Sequence, residues 1–294
     1  MGRRVLGAAT VVFIVACGQP SVSGAGPIQV VAAENFWGSI AVQLGGSRVS
    51  VQSVLTDPNA DPHEYESSVA DARAFADAAL VILNGAGYDG WGQKLLDANP
   101  AAGRQVLDVA ALLHKKVGDN PHFWYDPDFV VMVADRITAL YKSIDAAHSG
   151  YFDQRRAALT VAFQPYLAEI VSIKQSHAKE PVGSTESIFV YMADALGLEL
   201  TTPQEFMNAV SEGTDPPAGA VVTFQDQITT GAIKLLVYNV QTSTAVTTAV
   251  KDLAAAHHVP TVGVSETLQP PGGKFQDWQL AQLHMLDSAL QANP

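Results

Sequence analysis

The chain has 294 residues, is 48% hydrophobic, and carries 17 basic against 29 acidic side chains for a net charge of -12. That hydrophobic fraction supports a full core, and the length suits one large or two medium domains. The acidic balance argues against a nucleic-acid partner, and one cysteine in the whole chain excludes a disulfide framework.

The N-terminus reads as an export leader. Arg3 and Arg4 precede an apolar run, Val5 to Ala16, too short to span a bilayer comfortably. It ends in Ile14-Val15-Ala16-Cys17, which resembles a bacterial lipobox. Residues 1–16 are therefore expected to be a lipoprotein signal peptide, with Cys17 lipidated and acyl chains holding the protein to a membrane face. Residues 17–27, rich in Gly, Ser and Pro, read as a flexible tether. With Cys17 consumed no thiol remains, so any metal site must be built from nitrogen and oxygen.

Beyond the tether, strand-like runs at Ile28–Ala32, Val49–Val54, Ala79–Leu83 and Gln105–Leu107 alternate with helical stretches at Phe36–Leu44, Val69–Ala76 and Trp91–Asn99. Such alternation indicates a parallel α/β sheet and predicts an N-terminal lobe over 28–127. From Pro127 to about Lys179 apolar residues fall at helical spacing (Val130, Val133, Ile137, Leu140; then Leu159, Phe163, Leu167, Ile170). This predicts a helical linker over 128–180, broken into two helices at Ser149-Gly150, with Pro165 kinking the second. Alternation then resumes. Strands are expected at Val182–Ser184, Leu198–Leu200, Ile233–Tyr238 and Thr261–Val264, and helices at Ile188–Leu196, Ala245–His257 and Asp277–Leu290. The reading is α/β: two Rossmann-like lobes with parallel sheets, the second over 181–294, joined by a long helical linker.

Two short stretches carry the chemistry: Asp61-Pro62-His63-Glu64-Tyr65 and Asn120-Pro121-His122-Phe123-Trp124. Each places a histidine directly after a proline, which stiffens the backbone around it. Ligand sites in parallel α/β sheets form beyond the C-terminal strand ends. His63 follows the second strand and His122 the fourth; Glu186 follows Val182–Ser184 and Glu266 follows Thr261–Val264. If the lobes face each other, these four converge in the cleft as two imidazoles and two carboxylates, a set whose negative charge offsets a divalent cation.

At these residues the chain resembles the zinc/manganese solute-binding lipoproteins of bacterial ABC importers, the solute-binding protein 9 family. Asp61 to Glu66 is similar to that family's first ligand motif and Asn120 to Trp124 to its second. Thr185-Glu186-Ser187-Ile188-Phe189 is similar to the third, and Ser265-Glu266-Thr267-Leu268 stands where the fourth normally reads Thr-Asp-Ser. The resemblance implies metal ligation by His63, His122, Glu186 and Glu266. Because the family's fourth ligand is usually aspartate, the role could pass from Glu266 to a neighbour such as Asp277. The His-rich loop of many zinc receptors is absent, and only His114 lies there. A long helix joining the lobes implies limited closure.

Each residue also has a plainer reading: Glu186 as an acid at a helix N-terminus, Glu266 as a solvated loop carboxylate, and the two histidines as surface or capping groups. His148, His177, His257 and His258 stand at expected helix ends. Two nitrogens with two carboxylates lean toward Mn²⁺, since bidentate carboxylates allow coordination above four, with Zn²⁺ next. The expected protein is a monomeric, extracytoplasmic, membrane-anchored receptor that delivers a divalent transition metal to an ABC transporter permease. It is not an enzyme. The alternatives are a metal-dependent hydrolase, with Glu64 as its base, and a surface adhesin.

Overall fold

The computed structural model describes residues 1–2, 26–58 and 65–293. The expected signal peptide, Cys17 and the His63 segment lie outside the described residues.

The first half alternates β1 (Ile28–Glu34), α1 (Asn35–Gly45), β2 (Val49–Leu55), α2 (Val69–Asp77), β3 (Leu80–Leu83), α3 (Gly90–Ala98), β4 (Gln105–Asp108) and the short α4 (Val109–Leu112). Its strands pair in parallel in the order β2-β1-β3-β4. β3 reads Leu-Val-Ile-Leu and is buried at every position, as expected of a parallel strand covered on both faces.

Helices α5 (Pro127–Ile144), α6 (Ser149–Ala162) and α7 (Gln164–His177) follow. The start of α5 is set by its cap: Asp126 Oδ1 accepts from the backbone N–H of Asp128 at 2.9 Å and of Phe129 at 3.2 Å. Three helices stand where two were expected. Pro165 does not kink a continuous helix but occupies the first turn of α7, where its missing N–H has no intrahelical partner to lose.

The second half repeats the first: β5 (Pro181–Ser184), α8 (Val190–Leu196), β6 (Glu199–Leu200), α9 (Gln204–Ser211), α10 (Ala218–Thr229), β7 (Leu235–Asn239), α11 (Ala245–Ala256), β8 (Thr261–Val264) and α12 (Phe275–Ala292). Its sheet has the same parallel order, β6-β5-β7-β8. α9 and α10 were not anticipated; they are short and separated by the breakers Gly213 and Pro216-Pro217. Each bury one apolar face, Phe206 and Val210 on α9 and Phe224 and Ile228 on α10.

In each sheet the chain moves from the first strand to one side and returns past it to the other, so the loops part at a switch point beside β1 and β5. One buried apolar cluster runs through both halves, from Val30 to Leu290. The halves are also tied by polar contacts. Asn35 at the start of α1 bonds Leu268 twice: its Oδ1 accepts from the Leu268 N–H at 2.8 Å and its Nδ2 donates to the Leu268 carbonyl at 3.2 Å. Ser39 Oγ similarly donates to the Gly273 carbonyl at 3.0 Å and accepts from the Phe275 N–H at 3.0 Å.

Candidate metal centre

His122, Glu186 and Glu266 meet at the ends of their strands. Each offers one ligand atom, and these atoms lie within 4.8 Å of one another. A tetrahedral metal with bonds of ~2.1 Å holds its donors ~3.4 Å apart, so the cluster needs only a small contraction to grip one ion. All three residues are buried, His122 and Glu266 completely. The segment bearing His63 lies outside the described residues. Its C-terminal flank is anchored: Tyr65 Oη donates to Asp71 Oδ2 at 2.9 Å, and its ring packs on Trp91 at 4.9 Å. Asp277, the alternative fourth ligand, is exposed on α12 and outside the cluster.

His122 follows Pro121 and precedes a 3-10 turn, Phe123–Tyr125. Asn120 fixes its ring. The amide Nδ2 of Asn120 donates to the Ser187 carbonyl at 2.8 Å, which leaves Oδ1 as the acceptor facing His122 Nδ1 at 2.6 Å. The proton therefore sits on Nδ1, and Nε2 presents its lone pair toward Glu266 Oε2, 3.9 Å away. This is the outer-sphere arrangement that orients metal-binding histidines. Trp124 stands edge-on to the imidazole at 5.3 Å and stacks on Phe36 at 3.9 Å. These contacts make an apolar wall behind the imidazole.

The carboxylates are held by donors that the sequence reading did not single out. Tyr88, in the loop after β3, donates from Oη to Glu266 Oε2 at 2.5 Å. Burial, with the negative charge of Glu266, pushes the Tyr88 hydroxyl well above its ordinary range, so it is a donor at any physiological pH. Asn239, the last residue of β7, donates from Nδ2 to Glu186 Oε1 and, at 2.8 Å, to Glu266 Oε1. The Glu266 loop is pinned from beneath. Gln241 Oε1 accepts from the N–H groups of Glu266 and Thr267 at 2.8 and 3.0 Å, and Gln282 Oε1 accepts from the Ser265 N–H at 2.9 Å. Trp278 Nε1 donates to Ser265 Oγ at 3.1 Å. Asn239 stood at a strand end, the position that nominated the four expected ligands; Tyr88 carried no sequence signal.

Glu34 ends β1, directly before α1, and is completely buried. Desolvation, followed by the repulsion of nearby Asp89, raises its carboxyl well above the usual range. Asp89 accepts backbone N–H bonds from Asn84 at 2.6 Å and Gly85 at 2.8 Å. Burial raises the Asp89 carboxyl too, but these bonds favour its charged form, whereas Glu34 is raised well above the usual range, so the proton of this buried pair belongs on Glu34.

The model of the family described as ZnuA, zinc-uptake complex component A periplasmic, matches residues 30–289. Among curated proteins, the manganese-binding lipoprotein MntA of Halalkalibacterium halodurans is 29% identical over 104 residues, which is 34% of this chain and 34% of that one. A Thermotoga maritima protein named for metal binding is 35% identical over 92 residues, 31% of this chain and 32% of that one. The chain thus aligns with about a third of the length of these relatives. Among solved structures, the FpvC solute-binding protein of Pseudomonas aeruginosa, in complex with Mn²⁺, superposes with a TM-score of 0.75 at 16% identity, over 91% of this chain and 100% of that one. The periplasmic zinc-binding protein TroA of Treponema pallidum superposes with a TM-score of 0.75 at 16% identity, over 90% and 99%. These two establish the two-sheet fold, and the family match over nearly the whole described body places the chain in the zinc-uptake component A family of periplasmic metal-binding proteins.

Proposed function

We propose that this protein is an extracytoplasmic receptor that captures one divalent transition metal ion and hands it to an ABC permease. The observation that carries this reading is the buried His122–Glu186–Glu266 cluster between the two sheets. Two carboxylates and an imidazole with its Nε2 lone pair turned inward form an anionic, nitrogen-and-oxygen donor set that suits Mn²⁺ or Zn²⁺. His63 is the fourth ligand in this reading. Neutral His63 and His122 with ionised Glu186 and Glu266 compensate the charge of the incoming ion.

The ion is cargo, so binding must be tight yet reversible. The donors are held by hydrogen bonds rather than by a rigid covalent frame, and the lobes are tied on one side through Asn35 and Leu268. A small parting of the strand-end loops then releases the ligand set without unfolding either sheet. Lipidation of Cys17 keeps the receptor beside its permease. Among the described residues no helix is long and apolar enough to cross a membrane. The arrangement lends no support to the hydrolase or adhesin alternatives.

Titration of the metal-stripped protein against Zn²⁺ and Mn²⁺ in competition with a chromogenic chelator tests the reading. One ion per chain, lost in His122→Ala and Glu266→Ala, is expected. Absence of stoichiometric binding by the parent protein would overturn it.

A further inference from the structure

We infer that Tyr125 is a positioning residue for metal capture: it fastens the turn that carries His122 to the loop that carries Glu266, and so sets the spacing of two ligands from opposite halves of the chain. The inference rests on the receptor reading above and concerns how that same site is held in shape.

Tyr125 lies three residues after His122, and its N–H donates to the His122 carbonyl at 3.1 Å. Its side chain crosses to the other half. The hydroxyl faces two acceptors, the Ser265 carbonyl at 2.9 Å and Gln282 Oε1 at 3.1 Å. Gln282 Oε1 is fixed as an acceptor because it takes the Ser265 N–H at 2.9 Å. A phenol has one proton to give, so Tyr125 donates, and its shorter bond goes to Ser265. Ser265 directly precedes Glu266. The path from one ligand residue to the other is thus a backbone hydrogen bond, an aromatic side chain, a second hydrogen bond and a peptide unit.

Each step of that path is stiff. Tyr125 is 1% exposed and stands edge-on to Trp278 at 6.3 Å, and its side chain has only two rotatable bonds to the ring. Ser265 is engaged at every polar group. Besides its N–H and carbonyl, its Oγ accepts from Trp278 Nε1 at 3.1 Å and donates to the Thr267 carbonyl at 3.1 Å. At the far end of the loop, Asn35 takes both the N–H and the carbonyl of Leu268. The segment bearing Glu266 is therefore gripped on both sides of that residue by the half that carries His122. Tyr88 and Asn239 act on the carboxylates themselves, whereas Tyr125 reaches Glu266 through its backbone. A ligand set works only when held within roughly 0.5 Å of its productive geometry, so slack in this path would reach the ion.

The test compares the parent with Tyr125→Phe, which keeps the ring and removes the hydroxyl. Tyr141→Phe is the control: the Tyr141 hydroxyl, on α5 and outside the metal cluster, donates to the Ala41 carbonyl at 3.1 Å and is equally buried. Zn²⁺ and Mn²⁺ affinities are measured by competition titration, the visible spectrum of the Co²⁺-loaded protein reports ligand geometry, and urea midpoints report stability. Both variants are expected to lower the midpoint. Tyr125→Phe alone is expected to weaken metal binding, by about tenfold, the lower end of outer-sphere substitutions at metal sites, and to alter the Co²⁺ bands. Parent-like affinity and bands in Tyr125→Phe, or an equal loss of affinity in Tyr141→Phe, would overturn this inference alone. Should Tyr125→Phe fail to fold, Gln282→Met, which removes the acceptor of the Ser265 N–H, is judged by the same outcomes. A parent that binds neither ion would overturn the receptor reading with it.

Discussion

Tyr88 and Glu266 stand 178 positions apart, yet the phenol donates to the carboxylate at 2.5 Å across the cleft between the two sheets. This bond joins the loop after β3 to the loop after β8, beside the proposed metal ligand Glu266. A buried hydrogen bond to a charged acceptor contributes about 1.5–3 kcal/mol. Tyr88→Phe is therefore expected to lower the urea midpoint of the metal-free protein by a corresponding amount, with the slope unchanged. An unaltered midpoint would show that the contact is not retained in solution.

Asn120 fixes the tautomer of His122, so Asn120→Ala frees the ring and allows the proton to move to Nε2. Metal affinity should fall by roughly 10- to 100-fold, while Asn120→Asp, which keeps the acceptor, retains most of it. Calorimetric titration of the two variants distinguishes orientation from simple packing. Equal affinities in parent and Asn120→Ala would contradict the role.

Affinity should also depend on pH. In the proposed site the ligands His63 and His122 must be neutral to hold an ion, and a free imidazole titrates near ~6.5. Metal affinity is expected to be steady above about pH 7 and to drop steeply below about pH 6. Equal dissociation constants at pH 5 and pH 7.5 would count against imidazole ligands.

Glu34 makes a prediction in the opposite pH direction. Its carboxyl is raised by burial and by Asp89, so the folded protein keeps a proton that the unfolded chain releases near ~4.3. The stability from that proton is fully present below the unfolded value and is lost as pH rises through the folded one. Glu34→Gln fixes the neutral form. The variant should melt higher than the parent at pH 8, and the gap should close toward pH 4. A variant that is less stable than the parent at every pH would show that Glu34 is held in its charged form.

The frame of the molecule was legible because its strands are short apolar runs bounded by polar loops. Thr261–Val264 was read to the residue, and β1, β2 and β4 to within two residues at one end. α9 and α10 escaped because each spans only two or three turns, with Gly213 and Pro216-Pro217 breaking the period between them. Pro165 was misjudged because proline in a helical stretch marks a helix start as readily as a kink, and only the break at Phe163 distinguishes the two. His122, Glu186 and Glu266 were readable because strand-end position and chemistry agreed. Tyr88 and Asn239 were not: a lone tyrosine and a lone asparagine acquire their roles only from partners brought close by the pairing of two distant strand ends.

In the proposed site one ion is held jointly by both halves of the chain. Thermal melting of the chelator-stripped protein in Zn²⁺ or Mn²⁺ tests it most directly. A ligand at 1,000 times its Kd adds ~4 kcal/mol, equivalent to a rise of about 10 °C for a protein of this size. Such a rise is expected for the parent with at least one of the two ions, and its loss in His63→Ala, His122→Ala and Glu266→Ala alike. A rise that survives His122→Ala or Glu266→Ala, or no rise in the parent, would contradict it.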